Sequence, residues 1–368
     1  MKRLSIKSTW VVESEDGQRL GPELFALLNA IHEAGKLSGA IERVGLSYRH
    51  AWNLVEGWHA FFGAPLVNFE RGKGALLTPL GERLLWAEQR VSARLGPQLD
   101  SVASELNLEI NRLLDTAAST IRIHAAHGFA VARIPELLKE QDRLQVDLRY
   151  VGSVEALLSL EKGNCDLAGL HVPEGEFARP ALAKYTRWLR PRKQRVIHLV
   201  TRTLGLFVAS GNPKGIEGVQ DLARADVVFI NRQKNSGTRL LFDQVLAAAN
   251  IDARTIRGYR TEEFTHSAVA AYVASGAADA GFGVEPAARQ FRLDFIPLTR
   301  ERYLFICSQA ATERPDVVAL LEHLKSERFR RMVAELPGYS TPQIGEVVRL
   351  EEAMPELLDR RSRVDRAA

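Results

Sequence analysis

Val227-Val228-Phe229-Ile230-Asn231-Arg232-Gln233-Lys234-Asn235-Ser236-Gly237-Thr238-Arg239-Leu240-Leu241-Phe242 is the most informative stretch of the 368-residue chain. A short apolar, β-branched run predicts a buried strand over Val227–Ile230. A hydroxyl and a glycine then open a run of helical spacing, predicting a helix from Gly237 to Asn250. Strand, polar turn and helix form the repeating unit of a parallel sheet with crossover helices. Backbone N–H groups at such a helix start lack partners and favour an anion. Ser236, Gly237 and Thr238 would present them, and Arg239 could add a fork of charged donors. An ordinary capped helix with Arg239 on its surface is the plainer reading. The turn lacks the Gly-Lys-Ser/Thr ending of a nucleotide loop, which argues against ATP or GTP.

The same unit recurs on either side. Ile121–Ala125 reads as a strand that turns at His127-Gly128 into a helix reaching about Lys139. Val146–Val151 is a second strand, Ser153–Lys162 a helix behind it, and Asp166–His171 a third strand. Further strands are expected at Leu206–Ala209, Ala280–Phe282, Phe295–Leu298 and Leu304–Cys307, with Thr265-His266 opening another helix. About 250 residues exceed what one open sheet needs, so two α/β lobes are expected. Ligands of such sheets bind at the carboxyl ends of the strands. His127, Gly128, Ser153, Ser236, Gly237, Thr238, Arg239, Thr265 and His266 therefore line the expected anion site.

The first 115 residues read differently. Leu24, Leu27, Leu28 and Ile31 bury one face of a helix that stops near Gly35. A short helix over Ser38–Val44, a break at Gly45, and a third helix capped by Ser47 follow. Ala51, Leu54, Val55, Trp58 and Phe62 mark the inner face of the third helix, leaving Arg49, His50, Asn53 and Glu56 outside. This is helix-turn-helix geometry. Pro65–Phe69 and Ala75–Thr78 read as two strands of a wing whose tip carries Arg71 and Lys73. Thr78-Pro79 starts a long helix with a leucine and valine stripe, suited to a dimer seam or to packing on its own domain. Gly96-Pro97 is expected to kink or break that helix.

Composition narrows the classes further. The net charge is +4, yet residues 1–115 hold 13 basic against 14 acidic residues, so a nucleic-acid reading there rests on motif rather than charge. The excess lies further on, in Tyr185–Arg202, where six basic residues occur without an acid. No apolar run approaches the roughly 18 residues of a membrane helix. The first residues have no signal-peptide core, and only Cys165 and Cys307 are present. A cytoplasmic protein with no membrane partner is expected. There is no HExxH, GxSxG, CxxC or GxGxxG after a strand, so no enzyme activity, metal or cofactor is expected. His124 and His127 would point to opposite faces of a strand. Asp166 and Asp279 are expected to bond backbone N–H groups, His171 to end a strand near the cleft, and the cysteines to be packing.

The segment from Gly21 to Leu85, with its Gly45-Leu46-Ser47-Tyr48-Arg49 core and Leu77-Thr78-Pro79-Leu80-Gly81 exit, resembles the winged helix-turn-helix of ModE-type regulators, relatives of the LysR type. Cys165–His171, Asn231–Arg239, Ala278–Gly283 and Leu336-Pro337-Gly338-Tyr339 resemble the periplasmic-binding-protein-like domain of cytoplasmic molybdate- or tungstate-related regulators. The resemblance implies an N-terminal winged helix-turn-helix (1–80), a linker and dimerisation helix (81–117), and a bilobal α/β type II binding-protein-like domain (118–368). It implies a homodimeric transcriptional regulator that binds a double-stranded DNA operator and a small anionic effector. Ser47 and Tyr48 would meet phosphates, and Arg49, His50 and Asn53 base edges; Tyr48 and His50 could equally brace the helix. Arg71 and Lys73 would touch backbone or minor groove. Two departures, Ala126-His127-Gly128 where Ser-His-Asp is common and Asn235 where glycine is commoner, bear on the effector. Molybdate or tungstate is expected first, and a small organic anion, as in LysR-type regulators, is the alternative. From another class, an oxyanion-binding protein without sequence-specific DNA binding fits the same residues.

Overall fold

A computed structural model describes residues 4–70, 74–113, 119–138, 144–234 and 236–360. The chain divides into two compact units. One is Lys7–Gly96; the other runs from Pro97 onward and includes the residues up to Ile6.

The first unit opens with a small hairpin of β1 (Val12–Glu13) and β2 (Arg19–Leu20). Three helices follow, α1 (Glu23–Ala34), α2 (Leu37–Val44) and α3 (Tyr48–Phe62). Leu24, Leu27, Leu28 and Ile31 of α1 meet Ala51, Val55 and Trp58 of α3 in the core, as helical spacing predicts. Gly45, at φ 69°, ends α2 in a conformation few other residues tolerate, and the Ser47 hydroxyl accepts a hydrogen bond from the His50 N–H at 3.2 Å to start α3. The strands β3 (Val67–Glu70) and β4 (Gly74–Leu77) pair antiparallel as a wing. Arg71 and Lys73 of its tip lie outside the described residues.

Thr78 caps α4 (Pro79–Leu113), its hydroxyl accepting from the Gly81 N–H at 3.2 Å. The helix is not broken at Gly96-Pro97. A proline removes one amide donor from the ladder, a local cost that the helix-forming residues on both sides outweigh.

The second unit is built on one ten-stranded sheet. Its first lobe contains β5 (Ser119–Ala125), α5 (Phe129–Ala132), α6 (Ile134–Leu137), β6 (Leu144–Tyr150), α7 (Ser153–Glu161), β7 (Leu167–Pro173) and α8 (Ala178–Ala183). β8 (Gln194–Val208) then crosses into a second lobe of β9 (Phe229–Arg232), α9 (Gly237–Ala248), β10 (Glu262–Glu263), α10 (His266–Ala274), β11 (Ala280–Val284) and α11 (Glu285–Gln290). β12 (Asp294–Ser308) returns the chain to the first lobe, which is completed by α12 (Pro315–Lys325), α13 (Glu327–Ala334), β13 (Tyr339–Ser340) and β14 (Val347–Arg349). The sheet order is β10-β9-β11-β8-β12-β7-β5-β6, with β13 and β14 also paired to β8.

β8 and β12 run antiparallel along their length. The early part of β12 lies beside the late part of β8, which pairs β11; the late part of β12 pairs β7. The two lobes are thus joined by a pair of long strands, and Arg202 and Glu301 lie directly opposite each other where the pair passes between them. Sequence reading predicts only fragments of these strands. Arg202 and Thr203 interrupt the apolar pattern of β8, while Pro297 and the polar run Thr299-Arg300-Glu301-Arg302 interrupt β12, where the register slips between Pro297 and Thr299. The single helix expected after His127 is two short ones meeting at Arg133, where Pro135 favours a new start.

The part of α4 beyond Pro97 flanks the edge strand β6. The Ser101 and Ser104 hydroxyls accept from the N–H groups of Tyr150 and Leu148 at 3.0 and 3.1 Å. Asp166 accepts from the Arg122 N–H and Asp279 from the Val228 N–H, both at 2.8 Å, as expected. Cys165 and Cys307 are buried, and burial pushes both thiols up to about 12, which leaves them inert at neutral pH.

A Cβ at Gly81 would collide with the Leu66 carbonyl oxygen, whereas one at Gly57 in α3 would meet nothing. Gly81→Ala is expected to lower stability by about 1–3 kcal/mol and Gly57→Ala to raise it by about 0.5–1 kcal/mol, read by urea unfolding.

Candidate functional site

The cleft between the lobes is organised by Arg202. Its side chain is fully buried, and its Nε and Nη2 donate to Glu301 Oε1 at 2.7 and 2.5 Å. Burial opposes its charge, but Glu301 more than offsets this and holds the guanidinium firmly cationic. Arg202 Nη2 also lies 3.3 Å from His171 Nε2. A guanidinium can only donate, so Nε2 of His171 is the acceptor and its proton sits on Nδ1. That Nδ1 faces the start of α9, 3.5 Å from where a Cβ on Gly237 would stand. Tyr303 lies tilted against His171, with ring centroids 4.0 Å apart, and is pinned by donating its hydroxyl to the Ala126 carbonyl at 2.6 Å.

Arg232, the last residue of β9, supplies the second guanidinium from the other lobe. Its Nη2 donates to the Phe264 carbonyl at 2.9 Å and its Nε to Gln233 at 3.1 Å. No carboxylate pairs with it among the described residues. Burial first, and then repulsion from Arg202, push Arg232 down to about 9, leaving it cationic at neutral pH. His266, the first residue of α10, is buried, with its Nδ1 against Gly283. His127 stands in the first-lobe turn, edge-on to Tyr150 at 4.9 Å.

Both arginines act on all three imidazoles. Burial and these two charges lower His127 to about 4 and His171 and His266 well below the usual histidine range, so all three are neutral at pH 7. Among the described residues, Arg202 Nη1, Arg232 Nη1 and His266 Nδ1 are buried without a hydrogen-bond partner of ordinary geometry, and the Tyr339 hydroxyl lies against the Arg202 guanidinium. Buried polar atoms are almost always satisfied. Three such atoms around one cleft, two on cations, make a receptor for oxygen acceptors.

Of the residues expected at the site, His127, Gly128, Gly237 and His266 gather around this centre. A Cβ on Gly128 would stand 3.3 Å from Arg202 Nη1, so glycine keeps that cation open to the cleft. Ser236 and Thr265 are N-caps, their hydroxyls accepting from the N–H groups of Arg239 and Ala268, and Thr238 is buried in the first turn of α9. Ser153, at the start of α7, is buried beside Tyr185. Arg239 is the correction. Its guanidinium is spent on Asp243, Glu262, the Arg232 carbonyl and the face of Tyr259, and the cation of that turn that reaches the cleft is Arg232. Arg232 and Arg202 escaped sequence reading, although an arginine set inside the apolar run Val196–Val208 is itself a signal of a buried, partnered charge.

In the first unit, Ser47, Tyr48, Arg49, His50 and Asn53 are all exposed on α3. Tyr48 stacks on Trp52 at 6.3 Å and Trp52 lies against Phe69 of the wing at 4.8 Å. No helix among the described residues is long and apolar enough to cross a membrane, and none of their His, Cys, Asp and Glu side chains form a metal-holding group of three or more.

A bilobed α/β unit whose cleft converges on buried arginines is the architecture of a binding protein. The chain belongs to the PBP superfamily, whose domain model matches residues 135–325. It is 36% identical over 200 residues to the uncharacterized protein YvgK of Bacillus subtilis (strain 168), covering 54% of this chain and 64% of YvgK, and so spans less than two thirds of that relative. It is 32% identical over 185 residues to the molybdenum-pterin-binding protein MopB of Rhodobacter capsulatus, covering 45% of this chain and 68% of MopB. Among solved structures, CbnR, a LysR family transcriptional regulator, aligns over 82% of this chain and 98% of its own at 15% identity, with a TM-score of 0.39.

Glu301→Ala would leave Arg202 buried and unpaired, and is expected to cost about 3–5 kcal/mol, with much of the loss recovered by also changing Arg202→Met. Lowered histidine values make the unfolded chain bind more protons than the folded one below pH 6.5. Ligand-free stability is therefore expected to fall between about pH 6.5 and 4, by about 1.4 kcal/mol per pH unit for each imidazole, in acid titrations followed by calorimetry.

Proposed function

We propose that this protein is a DNA-binding transcriptional regulator whose activity is set by a small oxyanion held in the cleft of its binding-protein-like unit. The observation that carries the ligand half is the convergence of Arg202 Nη1, Arg232 Nη1 and His266 Nδ1, buried and without partners among the described residues. The starts of α9 and α10 add backbone donors and favourable dipoles. Molybdate or tungstate is the preferred effector, which a relative named for binding molybdenum pterin supports. A small organic anion is favoured by one feature, since the planar fork of Arg232 also suits a carboxylate.

The DNA half is supported by the α2–α3 geometry and by the exposed row Ser47, Tyr48, Arg49, His50 and Asn53 beside the wing. Base edges are read from the first turns of a recognition helix, with phosphates held by flanking hydroxyls and cations. A homodimer would supply the two recognition helices that a two-fold operator needs, and the exposed Val102, Ile110 and Leu113 of α4 suit such a seam. Effector binding can regulate DNA affinity only through unequal affinity for two states, and closure of the lobes about β8 and β12 would provide them.

Thermal-shift and calorimetric titration of ligand-stripped protein with molybdate, tungstate, sulfate, phosphate, formate and small carboxylates tests the ligand half. Arg232→Gln is expected to weaken binding of the selected anion at least tenfold; unchanged affinity removes the cleft from consideration. Duplexes selected from a random library test the DNA half. Arg49→Ala is expected to lower affinity for the selected duplex roughly 5- to 150-fold at matched salt while anion binding is retained.

A further inference from the structure

The strand β5 runs parallel between β6 and β7, and a strand in that setting is usually apolar on both faces. Ile121, Ile123 and Ala125 meet this expectation on the side of the core. The other face carries Thr120, Arg122 and His124, with Asp147 and Arg149 of β6 in register beside the last two. Between this polar face and the last turns of α4 lies a cavity of about 630 Å³, the size of a small-molecule site. It is formed wholly within the second unit and shares no residue with the cleft between the lobes.

Much of the cavity wall is already engaged. Arg122 gives Nε and Nη2 to Asp166 and Nη1 to the Gly163 carbonyl, and Asp166 and Asp316 together balance Arg122 and Arg314. Asp147 is only 3% exposed and accepts from the Ser104 hydroxyl of α4 and from Arg149 Nε. Three groups stay uncompensated. His124 is 8% exposed, and its Nδ1 is buried without a hydrogen-bond partner among the described residues. Burial, and then Arg149, hold that imidazole below the usual histidine range, so it is neutral and can accept at Nδ1 with its proton on Nε2. Glu105 and Glu109 stand exposed at the rim, one helical turn apart, where like charges repel. Glu109 is also close to the C-terminal end of α4, where the helix dipole disfavours an acid. Arg149 reaches Glu105 at 3.7 Å but is shared with Asp147. One cation against three carboxylates leaves this wall negative.

We propose that the cavity binds a small organic cation carrying one or two ammonium or guanidinium groups, held between the Glu105–Glu109 pair at the rim and the buried Nδ1 of His124. An ammonium offers donors and no acceptor, and the two carboxylates and this ring nitrogen offer acceptors and no donor. The cation would separate the two glutamates, and its alkyl part would pass Leu108, the apolar member of the wall. An anion would meet uncompensated carboxylates instead. A bare metal ion lacks ligands, since no three His, Cys, Asp or Glu side chains among the described residues form a metal-holding group. One wall is α4 and the other is the sheet, so the bound cation adds a tie to the two that Ser101 and Ser104 already make with β6.

The test is calorimetry of the full chain with butane-1,4-diamine, spermidine and agmatine at about 0.15 M salt, with choline and magnesium as cations that lack matching donors. Saturable one-to-one binding of at least one of the three amines is expected, and none of choline or magnesium. With that amine bound, hydrogen exchange is expected to slow on α4 beyond Ser101 and on β6, and to stay unchanged over Asn231–Arg239 of the cleft. Glu109→Gln is expected to weaken binding about fivefold, and to raise the melting point of the ligand-free protein by removing a like-charged neighbour. A purely structural glutamate would leave the affinity unmoved. His124→Phe is expected to weaken binding about tenfold by removing the buried acceptor. No saturable binding by any of the amines overturns the proposal. Protection that falls outside α4 and β6 overturns it too, as does equal binding of choline or magnesium, which would mark adventitious counter-ions only. Unchanged affinity in folded Glu109→Gln and His124→Phe proteins has the same force. If His124→Phe fails to fold, the exposed Glu109 variant and the wild-type exchange pattern decide the matter.

Discussion

The ion pair between Arg202 and Glu301 fixes both the architecture and the chemistry of the larger unit. The two residues are cross-strand neighbours at the place where β8 and β12 pass from one lobe to the other. A buried pair of this kind adds little stability compared with an apolar alternative of the same size, and removing one member is severe. What it contributes here is position. Glu301 holds two nitrogens of the guanidinium and leaves Nη1 facing the cleft. Gly128 keeps that side clear, and His171 is oriented by the remaining contact. One strand pair therefore links the lobes and also carries the first donor of the site.

Arg232 supplies what the first pair lacks. It approaches from the second lobe, is steadied by the Phe264 carbonyl and Gln233, and keeps one nitrogen unengaged among the described residues. A cation in a buried place without a carboxylate is costly until an anion arrives, and the cost favours the occupied state. The donors belong to both lobes, so an anion between them has most to gain when the lobes are close together. Under the proposed function, ligand affinity and lobe arrangement would be coupled through the same atoms.

Much of this was legible in the sequence, and the limits have physical causes. The α1–α3 core, the Gly45 turn and the Ser47 cap follow from local periodicity and capping, which act over a few residues. The strand–helix repeat and the turn from Asn231 to Arg239 were equally visible. The long strands β8 and β12 were not, because their middle residues are charged for a reason that exists only across the sheet. Arg202 and Glu301 read as interruptions until they are seen as partners ninety-nine positions apart. The same blindness exchanged Arg239 for Arg232. Both arginines sit in one turn, and only the surrounding carboxylates, Asp243 and Glu262, show which of them is already engaged.

The edge strand β6 has a further consequence. Two of its amides end on serine hydroxyls of α4, and Asn107 of that helix bonds the backbone of Leu4. A fragment cut where the α/β pattern begins, near Ser119, would bare a row of hydrogen-bonding groups along a sheet margin, and such margins recruit other chains. A soluble fragment should therefore keep the helix from Pro97 onward. An insertion or fusion that unwinds this stretch would show itself first as self-association, before any loss of ligand binding.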